Sequence, residues 1–268
     1  MNAYFKIIRP INSLMSAFSV IVLSISIGKI DFLKIIFGML VTFLTTSGGN
    51  VINDYFDYEI DKINHPERPI PSGKIDRNYA LYYSILLFVL SVIFSIFLGI
   101  IPLIIDIFAI LLLITYEYKT KNVGFIGNLQ ISFLIFMLFL FTGSIYSEYI
   151  FPSLLGVMAM FSNLAREITK DVEDVEGDIN RITLPKKIGI KKSLLISTIF
   201  VLLSVSLSPL PYFLKFYNIY YILIVSIADA IFLYSSYIQW KDQKKGQKYL
   251  KLAMIIALIS FLIGGLFK

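Results

Sequence analysis

The sequence predicts an all-α membrane protein of nine spanning helices. Three observations predict it: long apolar runs, a lopsided placement of lysine and arginine about those runs, and a pair of matched aspartate clusters 117 residues apart. Of the 268 residues 57% are hydrophobic, and the mean hydropathy is +0.78. Soluble domains are nearer half apolar, with polar faces at helical or strand period. Here Leu81–Leu98, Ile101–Thr115, Ile131–Phe141 and Leu252–Leu266 are apolar nearly all round. Such segments belong inside a bundle or in lipid, and about 20 residues cross a bilayer.

The expected helix cores are 11–28, 33–56, 79–98, 100–117, 126–147, 151–172, 191–209, 215–238 and 250–267. The first follows Lys6, Arg9 and Pro10 with no clear cleavage site, and is read as a permanent span. The third and fourth are joined by the tight turn Gly99–Pro102. Together they form one domain, 1–268, of two pseudo-repeated halves around a central cavity.

Charge tests the count. With the N-terminus cytoplasmic and each span reversing the side, 20 of the 24 Lys and Arg fall on the cytoplasmic side; Lys29, Lys34, Lys215 and Lys268 do not. The positive-inside rule expects that asymmetry, and a wrong count would scramble it. The expected placement is a multi-pass cell-membrane protein, N-terminus and active site cytoplasmic, C-terminus outside. The net charge of +6 then reflects a membrane surface rather than nucleic acid. With no cysteine there is no disulfide and no thiolate metal site, and His65, the one histidine, cannot found a metal site alone. The chain says nothing of protein partners.

The chemistry gathers on the two longest cytoplasmic connections. The first reads Asn50, Asn53, Asp54, Asp57, Asp61, then Arg68, Pro69, Pro71 and Gly73; the second reads Glu167, Lys170, Asp171, Asp174, Asp178, then Arg181, Pro185, Lys186 and Lys187. In each, the aspartates are spaced three and then four apart, and all three positions share the 117-residue offset. That pattern suggests an internal duplication, each half supplying one wall of a site. On a continuous helix, positions i, i+3 and i+7 fall within an arc of about 60°. Three carboxylates on one face repel unless a cation offsets them. Asn53, Asp54, Asp57, Asp61, Asp171, Asp174 and Asp178 are therefore the candidate Mg²⁺ ligands, oxygen donors of the kind that ion takes. Acidic helix ends at a membrane surface are the bland explanation, and two matched clusters count against it. Asn50, Arg68, Lys119, Lys121, Lys170 and Arg9 are the candidate substrate-binding residues. Arg68 stands out among the cations because prolines stiffen its loop.

Asn53-Asp54-Tyr55-Phe56-Asp57-Tyr58-Glu59-Ile60-Asp61 with Arg68-Pro69-Ile70-Pro71-Ser72-Gly73 resembles the first signature of the UbiA superfamily, and Asp171-Val172-Glu173-Asp174-Val175-Glu176-Gly177-Asp178 resembles the second. The resemblance implies Mg²⁺-dependent ionisation of an isoprenoid diphosphate and transfer of its prenyl group, with Asp57, Asp61, Asp174 and Asp178 at the reaction centre. Arg166-Glu167-Ile168-Thr169-Lys170-Asp171, and Arg9-Pro10, Asn12 and Leu14-Met15, are similar to the archaeal digeranylgeranylglyceryl phosphate synthases. That subgroup implies geranylgeranyl diphosphate as donor and the lipid phosphate geranylgeranylglyceryl phosphate as acceptor, joined by an ether at the glycerol hydroxyl. The acceptor phosphate would draw on surplus cations, with Arg9, Lys119 and Lys121 as candidates. No general base stands out.

Two other readings are open. A relative acting on a quinone ring or haem differs only in its acceptor. A cation-coupled transporter also carries repeats and intramembrane carboxylates, but holds them near the midplane, whereas these gather at one face.

Overall fold

The computed structural model describes residues 2–175 and 182–267. Among them there is no strand. The helices in chain order are α1 Ala3–Ile7, α2 Pro10–Ile27, α3 Phe32–Phe56, α4 Tyr58–Asn64, α5 Arg77–Ile96, α6 Ile100–Tyr118, α7 Phe125–Ile145, α8 Ile150–Glu173, α9 Leu184–Ile188, α10 Ile190–Leu207, α11 Leu210–Phe213, α12 Ile219–Ile238 and α13 Gln243–Leu266. Nine of these described helices have 18 residues or more, matching the nine expected cores in order. Eight are long and apolar enough to cross a membrane. The ninth, α8, falls short because its last two turns carry Arg166, Glu167, Lys170, Asp171 and Glu173.

Two boundaries depart from expectation by a turn or more. The core expected to begin at 215 begins at Ile219, because Pro209 and Pro211 start the one-turn α11 and the chain then bends through Lys215 in left-handed backbone. The core expected from 250 begins at Gln243, capped by Asp242, whose side chain accepts from the Lys245 amide. Hydropathy marks where the apolar stretch starts; the cap marks where the helix starts.

The chain forms two compact units. The first comprises residues 1–21, 30–118 and 144–146. Its centre is α3 against α5 and α6. Gly48 admits the Phe88 ring, which would stand 2.6 Å from a Cβ there. Ser84 donates to the Gly48 carbonyl at 3.0 Å. Deeper in the bundle Thr45 and Ser91 both donate to the buried Asp106 carboxylate, at 2.7 and 2.9 Å. At one end Ile7, Ile8, Val51, Ile70, Ile75, Ala80 and Leu87 form a closed apolar cluster.

The second comprises residues 22–29, 119–143 and 147–268. Here α8 packs on α10 and α13, and α12 and α13 form a hairpin. Val22, Leu23, Phe139, Phe151, Leu155, Tyr217, Tyr221 and Phe261 make its largest core. Gln239 ties three helices together: it accepts from Thr169 and Ser197 and donates to Thr198. In each unit large apolar side chains stand outward: Ile104 is 57% exposed, Leu195 52% and Leu223 59%. Outward leucine and isoleucine on this scale are the mark of a lipid-facing surface.

Candidate active site

The first cluster is built on the end of α3, with α4 and the loop that follows. The sequence expectation of one continuous helix face meets a correction here. Helix α3 stops at Phe56, Asp57 is the joint, and Asp61 belongs to α4. The break is shallow, since Asp57 and Asp61 still bond back to the carbonyls four residues earlier at 2.9 and 2.8 Å. Asp54 and Asp61 therefore stay on one side, both buried, and one arginine reaches both. Arg68 lies 2.6 and 2.8 Å from the two Asp61 oxygens and 3.6 Å from Asp54. Its loop is closed by the Ser72 and Gly73 amides on the carbonyls of Arg68 and Ile70; Gly73 sits at φ +72°, where a side chain would be strained.

Arg9 is the second guanidinium. It donates to Asp54 at 2.5 Å and to Asn53 Oδ1 at 2.9 Å. Its backbone is left-handed, φ +48°, between α1 and α2. A non-glycine residue holds that conformation only where its surroundings insist. Asn50 supplies part of the insistence by donating to the Ile8 carbonyl at 2.9 Å. Asn50, expected on substrate, thus anchors the strap that carries Arg9.

Asn53 is the hub of this unit's site. Its Nδ2 donates to Asp57 at 3.1 Å and to Glu117, at the end of α6, at 2.8 Å. The spacing argument could not reach Glu117, since it lies 64 residues from Asn53 and in no motif. Asp54 and Asp61 thus meet guanidiniums here, and Asn53 links Asp57 to Glu117.

The second cluster closes α8. Asp171 is buried in its last turn and Asp174 is its exposed C-cap. Asn128 of α7 donates to Asp171 at 2.8 Å. Glu167 is hydrogen-bonded by its neighbour Arg166. Lys170 stands exposed, as does Lys119, while Lys121 is half-buried in the turn before α7. The chain returns after the cluster to pack the Ile182 carbonyl and the Leu184 amide beside Gly124, with Lys187 donating to the Val123 carbonyl. Asp178 and Arg181 lie outside the described residues.

Among the described residues no three carboxylate or histidine side chains converge to hold a metal by themselves. The donor chemistry nonetheless suits Mg²⁺. Every candidate donor is a carboxylate or amide oxygen, and this ion is commonly held by one or two carboxylates with water and substrate phosphate completing its shell.

Residues 13–261 match the model of the UbiA prenyltransferase family. The chain belongs to that family. It is a multi-pass membrane prenyltransferase. Relatives span its whole length. The chain is 42% identical to the digeranylgeranylglyceryl phosphate synthase of Methanosphaera stadtmanae, covering 99% of this chain and 100% of that one. It is 40% identical to that of Methanocaldococcus jannaschii over 99% and 97%. A solved structure, described as giving insight into digeranylgeranylglyceryl phosphate synthase in membranes, superposes with a TM-score of 0.87 at 39% identity, covering 98% of each chain. A UbiA homologue from Archaeoglobus fulgidus, solved with GPP and Mg²⁺, shares the fold at 19% identity and a TM-score of 0.80, over 98% of each chain.

Proposed function

We propose that this UbiA enzyme moves a geranylgeranyl group from geranylgeranyl diphosphate to the glycerol hydroxyl of geranylgeranylglyceryl phosphate. The C1–O bond to diphosphate breaks, C1 bonds to the glycerol oxygen, and the hydroxyl proton is lost as pyrophosphate departs. The observation that carries this reading is full-length identity near 40% to relatives bearing that one name.

Asn53 and the aspartates of both clusters are the Mg²⁺ ligands in this reading: Asp54, Asp57 and Asp61 in the first, Asp171, Asp174 and Asp178 in the second. Bound Mg²⁺ would offset the charge that builds on the departing diphosphate. Arg68 and Arg9 stand beside those carboxylates and can turn their remaining N–H groups to phosphate oxygens. Because Arg9 is seated on Asp54 and Asn53, we assign it to the donor diphosphate rather than to the acceptor phosphate. Lys119 and Lys121 remain the cations for the acceptor. An apolar environment suits a carbocation-like prenyl group by excluding water, which would otherwise trap it. The termini take the orientation given by the charges, inside for the first and outside for the last.

The test is direct. Purified protein in detergent is given Mg²⁺, labelled geranylgeranyl diphosphate and geranylgeranylglyceryl phosphate. A diether product is expected, and EDTA, Asp57→Ala or Asp174→Ala should each cut its rate at least ~100-fold. Product formed only with 4-hydroxybenzoate as acceptor would keep the chemistry and overturn the acceptor. No transfer to any acceptor by folded protein would overturn the reading.

A further inference from the structure

Asp57 is the joint between α3 and α4, and one side chain from outside both motifs spans it. Arg77 is the first residue of α5. Its root is fixed, because Asp76 caps that helix by accepting from the Asn78 and Tyr79 amides at 2.8 and 3.4 Å. Its head crosses to the end of α3, where Nε donates to the Tyr55 carbonyl at 3.2 Å. The guanidinium carbon also stands 4.7 Å from the centre of the Tyr55 ring and 5.2 Å from that of Tyr58. Tyr55 belongs to the last turn of α3, and Tyr58 opens α4. One half-buried cation therefore touches both helices, on either side of Asp57 in the chain.

The rings are held as well. Tyr58 packs against the apolar cluster that includes Ile7, Val51 and Ile75, and the Lys62 ammonium lies 4.1 Å from its ring centre. Tyr55 meets Phe56 edge to face at 5.3 Å. A guanidinium is planar, stacks on aromatic faces and aims its N–H groups in a fixed fork; an ammonium is a point charge without a plane. The bend at Asp57 decides how Asp61, on α4, is turned relative to Asp54, on α3. A plane laid against both sides of that bend, and bonded to one of them, sets its angle.

We infer that Arg77 is a positioning residue of the first cluster: it clamps the α3–α4 joint through Tyr55 and Tyr58, and so sets the angle at which Asp54, Asp57 and Asp61 face a divalent cation. The inference rests on the reading of those aspartates as Mg²⁺ ligands. The partners of Arg77 are two rings and a carbonyl, so its effect passes through the backbone that carries the aspartates.

Four variants of the full chain test it: Arg77→Lys, Tyr58→Leu, Tyr58→Phe and Asp76→Ala. Thermal unfolding in detergent is followed across a Mg²⁺ titration with inorganic pyrophosphate held constant, each variant read against its own Mg²⁺-free Tm. Arg77→Lys keeps the charge and loses the plane. It should raise the Mg²⁺ midpoint ~10-fold, the scale of losing a group that orients metal ligands. Tyr58→Leu should move the midpoint the same way, while Tyr58→Phe keeps the ring and should leave it in place. Asp76→Ala uncaps α5 with the clamp residues intact, so its Tm should fall by the same amount at every Mg²⁺ concentration. If Arg77→Lys does not fold, the two Tyr58 variants decide. A midpoint unmoved by Arg77→Lys, or moved as far by Tyr58→Phe or Asp76→Ala, overturns this inference and leaves the proposed function standing. An unaltered chain that shows no Mg²⁺ response overturns the metal reading and this inference with it.

Discussion

A buried carboxylate needs a counterion or hydrogen-bond donors to hold it, and Asp61 shows how tightly a counterion can do so. It is 3% exposed and both its oxygens face Arg68. Arg68→Ala leaves that charge buried and alone, which costs about 3 kcal/mol. Adding Asp61→Asn in the Arg68→Ala background should recover much of the loss, since the buried charge is then gone. A double-mutant cycle on unfolding midpoints without Mg²⁺ checks it, and equal losses for the single and double variants would refute the pairing. The motif residues were legible because repeated carboxylates at helical spacing have few other uses. Glu117 and Asn128 were not legible. Each stands on a different helix from the motif it serves, and one amide or one carboxylate in a helix carries no spacing to read. Asn50 was named as a candidate for substrate; its bond to the Ile8 carbonyl depends on where the chain's first turn packs, which no local pattern records.

Helices in this fold were easier to read than their ends. Apolar length found the nine long helices of the described residues; the bend at Lys215 moved the start of one, and a cap moved the start of another. Asp242 is that cap, and its carboxyl is held below the ordinary range chiefly by the Lys245 backbone N–H. A carboxyl lowered in the folded state stabilises above its unfolded pKa, and that contribution fades as pH falls through the folded value. Asp242→Asn should therefore melt below the unaltered chain at pH 7, with the two melting together in acid; a gap that persists there would place the effect elsewhere. Close approach is the other thing hydropathy cannot see. A Cβ on Gly265 of α13 would meet the Ser26 backbone of α2 at 2.6 Å, beside the hydrogen bond from Ser26 to the Phe261 carbonyl. Backbone cannot swing aside as a side chain can. Gly265→Ala should cost about 2 kcal/mol, measured by unfolding in detergent, and a neutral result would show that the helices slide freely.

At the scale of the whole chain the duplication reaches beyond the aspartates. Ser91 and Ser208 also stand 117 residues apart, and each donates to an aspartate on the next long helix: Ser91 to Asp106 at 2.9 Å, Ser208 to Asp229 at 2.6 Å. One half therefore repeats the other in its polar interior as well as in its motifs. Orientation is a property of the whole chain too, and the absence of cysteine makes it simple to measure. Single cysteines placed at Lys119 and Lys215 should react from opposite sides of the membrane, the first only after the cells are opened. Labelling of both from the same side would break the alternation on which the nine-span reading depends. Charge asymmetry was legible at this scale because it sums over many residues, and local errors average out.

The Asp106 bond has a consequence for how the protein is made. A bare carboxylate enters a bilayer at a cost of several kcal/mol. Ser91 lies only 15 residues before Asp106, on the other arm of the α5–α6 hairpin. That hairpin can leave the insertion machinery as one piece with its acid already hydrogen-bonded. Thr45, on α3, joins the same carboxylate as the hairpin docks. A slip of one residue along α6 would turn Asp106 away from both hydroxyls by about 100°, so the order of synthesis and the register of assembly are written into the same three side chains.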